Sequence, residues 1–429
     1  MTFSPPGAEE DGSMSPIVCG AKWAGRVMWM PEEGWTMAEI VSRTSFCSVS
    51  LTVSTFTMPT VANSELLQGA RAKINWDQVL KIASSIRGQP CAIFEGEELS
   101  GGCNIIYRIV FDDGILWALR IRYDGMPSSV EGTVTMMRYV HSTVPSIPVA
   151  TVHAWSDSED GDGVGIPYML LDWIDGKELE WNANVPPPAA REKVLAQLAQ
   201  YTVDLLALTP IHSSPQSALA WMLTRIDSRF KRILTGELSG FDPVDCLIYR
   251  AMAKDIYFVP PLDTLPFPLM HTDIGRLNIL VGDNFDITGI LDWDEWACRF
   301  PLQCATMCPT MIAVTNDPPY DELFCKDRLM FIEHFTSVIT SSGLPHDIVV
   351  RLPSIMADDE LQLFQLSIKS IGVYARWVAK YAVRSLHWVR AATEALDQFV
   401  LSRPEMASFS GVLSLRARLL EMQDDGFIL

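Results

Sequence analysis

The stretch His271-Thr272-Asp273-Ile274-Gly275-Arg276-Leu277-Asn278 places an aspartate and an asparagine five residues apart, and a second aspartate, Asp292, follows fourteen residues later. These residue types suit phosphoryl transfer from a metal-bound nucleotide. One carboxylate can orient or deprotonate an acceptor hydroxyl, while an amide oxygen and a second carboxylate hold magnesium on the phosphates. An isolated His-x-Asp arises often by chance, and an aspartate in a hairpin turn commonly caps its own backbone. Context argues for the whole set. Residues 265–270 are apolar and extended, and Ile279-Leu280-Val281, Gly282-Asp283-Asn284 and residues 287–291 read as strand, turn and strand. Such a hairpin returns Asp292 toward the loop carrying Asp273 and Asn278.

These groups need elements to hold them. A helix is expected from about Asn75 to residue 86, with Val79, Ile82, Ala83 and Ile86 on one face and Gly88 as its stop. Strands are expected over 91–94, 104–111 and 115–121, the last two joined by Asp112-Asp113-Gly114. A helix then follows Ser128 and Ser129, and 147–152 and 167–171 read as two more strands. After Gly176 the pattern turns helical, with helices expected over 189–208, 221–234, 321–341, 359–379 and 386–401, the first opened by prolines at 186–188.

Between the first two strands, Gly101, Gly102 and Asn104 form a turn through which backbone N–H groups can approach phosphates, because no Cβ obstructs them. A plain hairpin loop accounts for the segment equally well. Gly96 and Gly101 have the outer spacing of a P-loop, but Gly102-Cys103 stands where Lys-Ser/Thr is required, which excludes that motif. Gly161, Gly163 and Gly165 precede a strand rather than a helix and form no phosphate site of the helix-terminus kind.

Composition sets the outer limits. A chain of 429 residues with 48% hydrophobic and 20% charged residues can bury a large core. Its formal charge of −19 argues against nucleic-acid or anionic-membrane partners and is compatible with a cationic acceptor. The nine cysteines lack a metal-ligand spacing, so Cys298, Cys304 and Cys308 read as small buried thiols in a reducing compartment. No signal-like segment and no apolar run of the ~20 residues a span requires stand out, so a cytoplasmic location is expected.

Four motifs carry a resemblance: residues 269–281 around the His271 loop, Gly289-Ile290-Leu291-Asp292-Trp293, residues 168–176, and Trp117-Ala118-Leu119-Arg120. Together they resemble the aminoglycoside phosphotransferase family, part of the kinase-like small-molecule kinases, over about three quarters of the chain. The resemblance implies an α+β, bilobal, protein-kinase-like fold, with an antiparallel β-sheet N-lobe and a mainly helical C-lobe. It implies ATP and Mg as cofactors and a small-molecule hydroxyl as acceptor. Asp273 would be the base, and Asn278 and Asp292 the magnesium ligands. Arg120 would contact phosphates and pair with Glu131, with Arg122 on the same sheet face as the competing candidate. The backbone at Asp172 and Ile174 would read the base. Asp294 and Glu295 would face the acceptor, or be surface acids. Two departures stand out: Thr272 replaces the usual glycine before Asp273, and Gly275-Arg276-Leu277 replaces His-Pro-Gly. The expected division is an irregular extension over 1–72, an N-lobe over 73–175, a C-lobe over 176–405 and a tail over 406–429. A pseudokinase or binding module of the same fold is the rival reading.

Overall fold

Strict alternation of apolar residues builds the first lobe around a sheet. On one strand Ile105, Tyr107, Ile109 and Phe111 are buried while the residues between them are half-buried. The computed structural model describes residues 61–100, 104–123, 130–158, 162–208, 217–293, 297–314 and 318–424. The expectations placed on residues 1–60, Gly101, Gly102, Asp294 and Glu295 lie outside the described residues.

The first lobe runs α1 (Val61–Lys73), α2 (Trp76–Arg87), β1 (Cys91–Ser100), β2 (Asn104–Phe111), β3 (Leu116–Arg122), α3 (Val130–Thr143), β4 (Val152–Ser156) and β5 (Tyr168–Asp172). The five strands form one sheet in the order β1-β2-β3-β5-β4, with every neighbour antiparallel. One face, carrying Ile109, Trp117, Leu119 and Leu170, packs on Ala70, Ile74, Val79 and Ala83 of the leading helices and their link. Asn75 caps α2 through the Gln78 N–H, and Gly88 ends it in the left-handed region. The opposite face, with Ala118, Met169 and Leu171, joins α3 and the core of the second lobe.

The second lobe is mainly helical: α4 (Pro188–Ala207), α5 (Ala218–Leu234), α6 (Pro243–Asp255), α7 (Leu302–Ala305), α8 (Pro318–Ile339), α9 (His346–Val349), α10 (Leu352–Ala357), α11 (Asp359–Lys369), α12 (Ile371–Tyr381), α13 (Leu386–Ser402) and α14 (Ser410–Asp424). Short strands interrupt it. β6 (Lys177–Glu178), β8 (Ile279–Val281) and β9 (Ile287–Ile290) form one sheet, and β7 (Leu269–His271) pairs with β10 (Ala297–Arg299). The molecule is therefore an α+β, bilobal, kinase-like fold. No helix among the described residues is long and apolar enough to cross a membrane.

Several elements differ from the sequence expectation. The strand expected over 147–152 begins only at Val152, because Pro148 can donate no ladder bond and instead accepts the Ile290 N–H through its carbonyl at 2.9 Å. The helix expected over 359–379 is two helices. Ser370 adopts extended backbone between them and caps the second through the Val373 N–H. Helix α6 had no sequence signal because it is buried on most of its surface, which erases the amphipathic period. Helices α1 and α14 occupy segments read as extension and tail.

Candidate active site

The hairpin β8–β9 brings the loop after β7 and the residues after β9 together. The Leu291 N–H bonds the Asn278 carbonyl at 2.8 Å, so Asp292 leaves the hairpin beside Asn278. The Asn278 side-chain amide donates to the Asp273 carbonyl at 2.9 Å and to Asp273 Oδ2 at 3.1 Å. That fixes the amide's orientation and turns its oxygen away from Asp273. Thr310, from the segment after α7, donates through Oγ1 to Asp273 Oδ1 at 3.4 Å, and its N–H bonds the Ile274 carbonyl. A Cβ at Gly275 would lie 2.8 Å from that hydroxyl oxygen, so glycine is what lets Thr310 come in.

His271 braces this loop. Its Nδ1 accepts the Asp273 N–H at 3.3 Å and its Nε2 donates to the Leu291 carbonyl at 2.9 Å, which requires the neutral ring. Burial pushes its pKa below the ordinary histidine value, against the pull of nearby Asp273. The ring meets buried Trp293 edge-on at 4.9 Å. Asp292 itself has φ +63, a left-handed backbone that is uncommon outside glycine but that aspartate adopts more readily than most residues.

From the opposite lobe, Arg120 on β3 donates to Asp292 Oδ1 at 3.1 Å, with both side chains only about a tenth exposed. The structure thus gathers Asp273, Asn278, Asp292 and Arg120. It does not bring Glu131 to Arg120: Glu131 is exposed in the first turn of α3, and its N–H bonds Asp157. Asn104 and Arg122 pair in register at the end of β2 and β3, on the same sheet face as Arg120.

Asp172 and Ile174 lie where the chain crosses between lobes. The Asp172 carboxylate takes hydrogen bonds from His153 at 2.6 Å and the Thr151 N–H at 3.2 Å; burial raises its pKa, but these bonds outweigh it and hold it low. Among the described residues the Ile174 N–H has no hydrogen-bond partner, leaving a donor open at the crossing. Just beyond it, burial raises the Glu178 pKa while Arg276 of the loop after β7 pulls it down. Nothing in the residue pattern points to Thr310, whose contact spans thirty-seven residues.

The family model of APH, the phosphotransferase enzyme family, matches residues 97–335, more than half of the chain. The chain belongs to the APH phosphotransferase family. This APH chain is also similar to solved structures. Choline kinase from Cryptosporidium parvum Iowa II is 15% identical over 83% of this chain and 99% of that one, with a TM-score of 0.42. The streptomycin–ATP ternary complex of APH(2'')-IIa is 12% identical over 71% and 96%, with a TM-score of 0.45. Macrolide 2'-phosphotransferase type I is 14% identical over 75% and 96%, with a TM-score of 0.40. No curated protein matches the chain. Membership rests on the match over 97–335 and not on these structures.

Proposed function

We propose that this APH phosphotransferase moves the γ-phosphoryl group of ATP to a hydroxyl of a small molecule. The observation that carries the reading is the meeting of Asp273, Asn278 and Asp292 with Arg120 from the other lobe. The donor set fits magnesium: a carboxylate on Asp292 and an amide oxygen on Asn278 are hard oxygen ligands, and the ion's remaining positions suit phosphate oxygens and water. When bound, Mg-ATP supplies the phosphoryl group and offsets the charge that develops on it.

This chain's residues do the rest. Asp273 accepts the acceptor hydroxyl proton as that oxygen bonds to the γ-phosphorus and the bond to the β-phosphate oxygen breaks, releasing ADP. Asn278 and Thr310 hold one carboxylate oxygen each, which fixes the direction in which Asp273 faces the acceptor. Arg120 exchanges Asp292 for phosphate oxygens, and its planar fork suits two of them. The Asp172 carbonyl and the open Ile174 N–H suit the base edge. The acidic balance of the chain favours a cationic acceptor through long-range attraction.

ADP release across a panel of hydroxylated amines, sugars and amino alcohols tests this. Asp273→Ala is expected to lower turnover by about 10²–10⁴-fold while Mg-ATP still raises the melting temperature. Turnover that survives the substitution removes Asp273 from the role of base. A melting temperature indifferent to Mg-ATP in the native chain favours a non-catalytic binding module instead.

A further inference from the structure

We propose that Gln362, a buried residue of α11, is a positioning residue: acting through Thr310, its amide fixes the direction in which Asp273 faces the acceptor. The inference rests on the phosphotransfer reading above. Helix α11 opens where the Asp358 carboxylate accepts the Leu361 N–H at 2.9 Å, which sets Gln362 in the first turns, facing inward and only 2% exposed. A polar side chain sealed from water to that extent is expected to be hydrogen-bonded. Its partners lie chiefly on the segment that follows α7.

Residues 306–309 belong to neither a helix nor a strand, so their buried backbone groups need partners from elsewhere. The Gln362 amide supplies two. Its oxygen accepts the Cys308 N–H at 3.1 Å, and its nitrogen donates to the Thr306 carbonyl at 2.9 Å. The same nitrogen donates to the Ile355 carbonyl of α10 at 3.2 Å, which anchors the amide from behind. Two helical turns later, Lys369 donates to the Cys304 carbonyl at 3.3 Å, and its Nζ lies 3.1 Å from the sulfurs of Met307 and Met270. Helix α11 therefore grips the segment at both ends.

Only Pro309 separates the gripped Cys308 from Thr310, and its ring holds φ, here −50. A shift at Cys308 is thus passed on more than absorbed. Thr310 is what meets the loop after β7: its N–H bonds the Ile274 carbonyl at 2.9 Å, and its hydroxyl donates to Asp273 Oδ1 at 3.4 Å. The second bond is near the limit of hydrogen-bond length, so a small displacement of the segment releases that carboxylate oxygen. Misplacing a reacting group by about 1 Å can cost on the order of 10²-fold in rate.

The test combines Gln362→Met, of similar length but without the amide, with Thr310→Val, which removes the hydroxyl at nearly equal volume. ADP release with the best acceptor of the panel gives kcat and KM for ATP. Calorimetry gives Mg-ADP affinity, and hydrogen exchange reports the Thr310 amide. Each single variant is expected to lower kcat on the order of tenfold while KM for ATP and Mg-ADP affinity stay near native. The double variant should fall well short of the product of the two losses, because both act on one contact. In Gln362→Met the Thr310 amide should exchange on the order of tenfold faster, with the Leu247 amide of α6 unchanged, which separates local release from general weakening. Losses that multiply, native kcat in Gln362→Met, an equal loss of Mg-ADP affinity or native exchange at Thr310 each overturn the proposal. If Gln362→Met does not fold, Gln362→Glu, which keeps an acceptor for Cys308, is judged by the same criteria. A native chain that releases no ADP with any acceptor sinks the phosphotransfer reading, and exchange at Thr310 still decides whether Gln362 holds the contact.

Discussion

At His271 the loop carries a ring that both receives and donates a backbone hydrogen bond, so its neutral form is part of the scaffold. His271→Leu leaves the Asp273 N–H and the Leu291 carbonyl unpaired in the interior, where each such group costs about 1–3 kcal/mol. Denaturant unfolding is expected to show a loss on the order of 2–4 kcal/mol, and an unchanged midpoint would place the ring outside the scaffold. The pH response has a definite sign. Burial lowers the pKa of His271 below the ordinary 6.5, so below that value the unfolded chain binds a proton that the folded chain resists. Its contribution is complete above 6.5 and is lost as pH falls toward the depressed folded value. Melting temperature should therefore drop from pH 7 to about pH 5, with a shallower slope in His271→Leu. The candidate site was legible at this scale because Asp273, Asn278 and Asp292, which the structure brings together, have types and spacing suited to that chemistry. Thr310 and the Arg120–Asp292 pair were not, since threonine and arginine in isolation announce no partner and both contacts cross long stretches of chain.

Elements set where these residues stand, and the hairpin's second strand presses on the crossing between lobes. A Cβ at Gly289 would lie 2.9 Å from Ile174 Cγ2 and 3.0 Å from its Cδ1. The ends of an isoleucine side chain can give way, so Gly289→Ala is expected to change stability by only about 1 kcal/mol. Where the branched Ile174 side chain relieves the contact by shifting its own backbone, the open N–H moves with it, and nucleotide affinity should then fall several-fold. Native affinity in the variant would separate Ile174 from base recognition. Gly176 differs: its φ of +155 and a Cβ that would meet Thr288 Oγ1 at 2.5 Å leave little room for relief. Gly176→Ala should cost about 1–3 kcal/mol in denaturant unfolding. Most elements could be read from periodicity: α2 with its Asn75 and Gly88 ends, the alternating β2 and the β8–β9 hairpin. Where burial is all-round, as in α6, or where one serine divides a continuous apolar pattern, as at Ser370, the sequence signal fails for a physical reason.

For the whole molecule, the deciding feature is that Arg120 and Asp292 join the two lobes with both side chains nearly sealed from water. In the proposed reaction each has another partner, Arg120 the phosphates and Asp292 the metal, so the pair is one tie across the cleft, beside the shared apolar core, before a nucleotide enters. Arg120→Met removes the cation and leaves the Asp292 carboxylate beside an apolar chain. Breaking a buried pair from one side costs about 3–5 kcal/mol, and because both side chains keep about a tenth of their surface in water a loss of about 2–4 kcal/mol is expected. Adding Asp292→Asn removes the stranded charge, so the double variant should regain most of that stability in thermal unfolding. It should regain no turnover, because neither the phosphate cation nor the metal carboxylate is restored. Mg-ATP at a hundred times its Kd stabilises a native binder by about 2.7 kcal/mol, and that increment should be largely absent in both variants. If the single variant is as stable as the native chain, the pair does not couple the lobes. If the double variant still gains the full increment from Mg-ATP, the nucleotide binds elsewhere than between β3 and the β8–β9 hairpin.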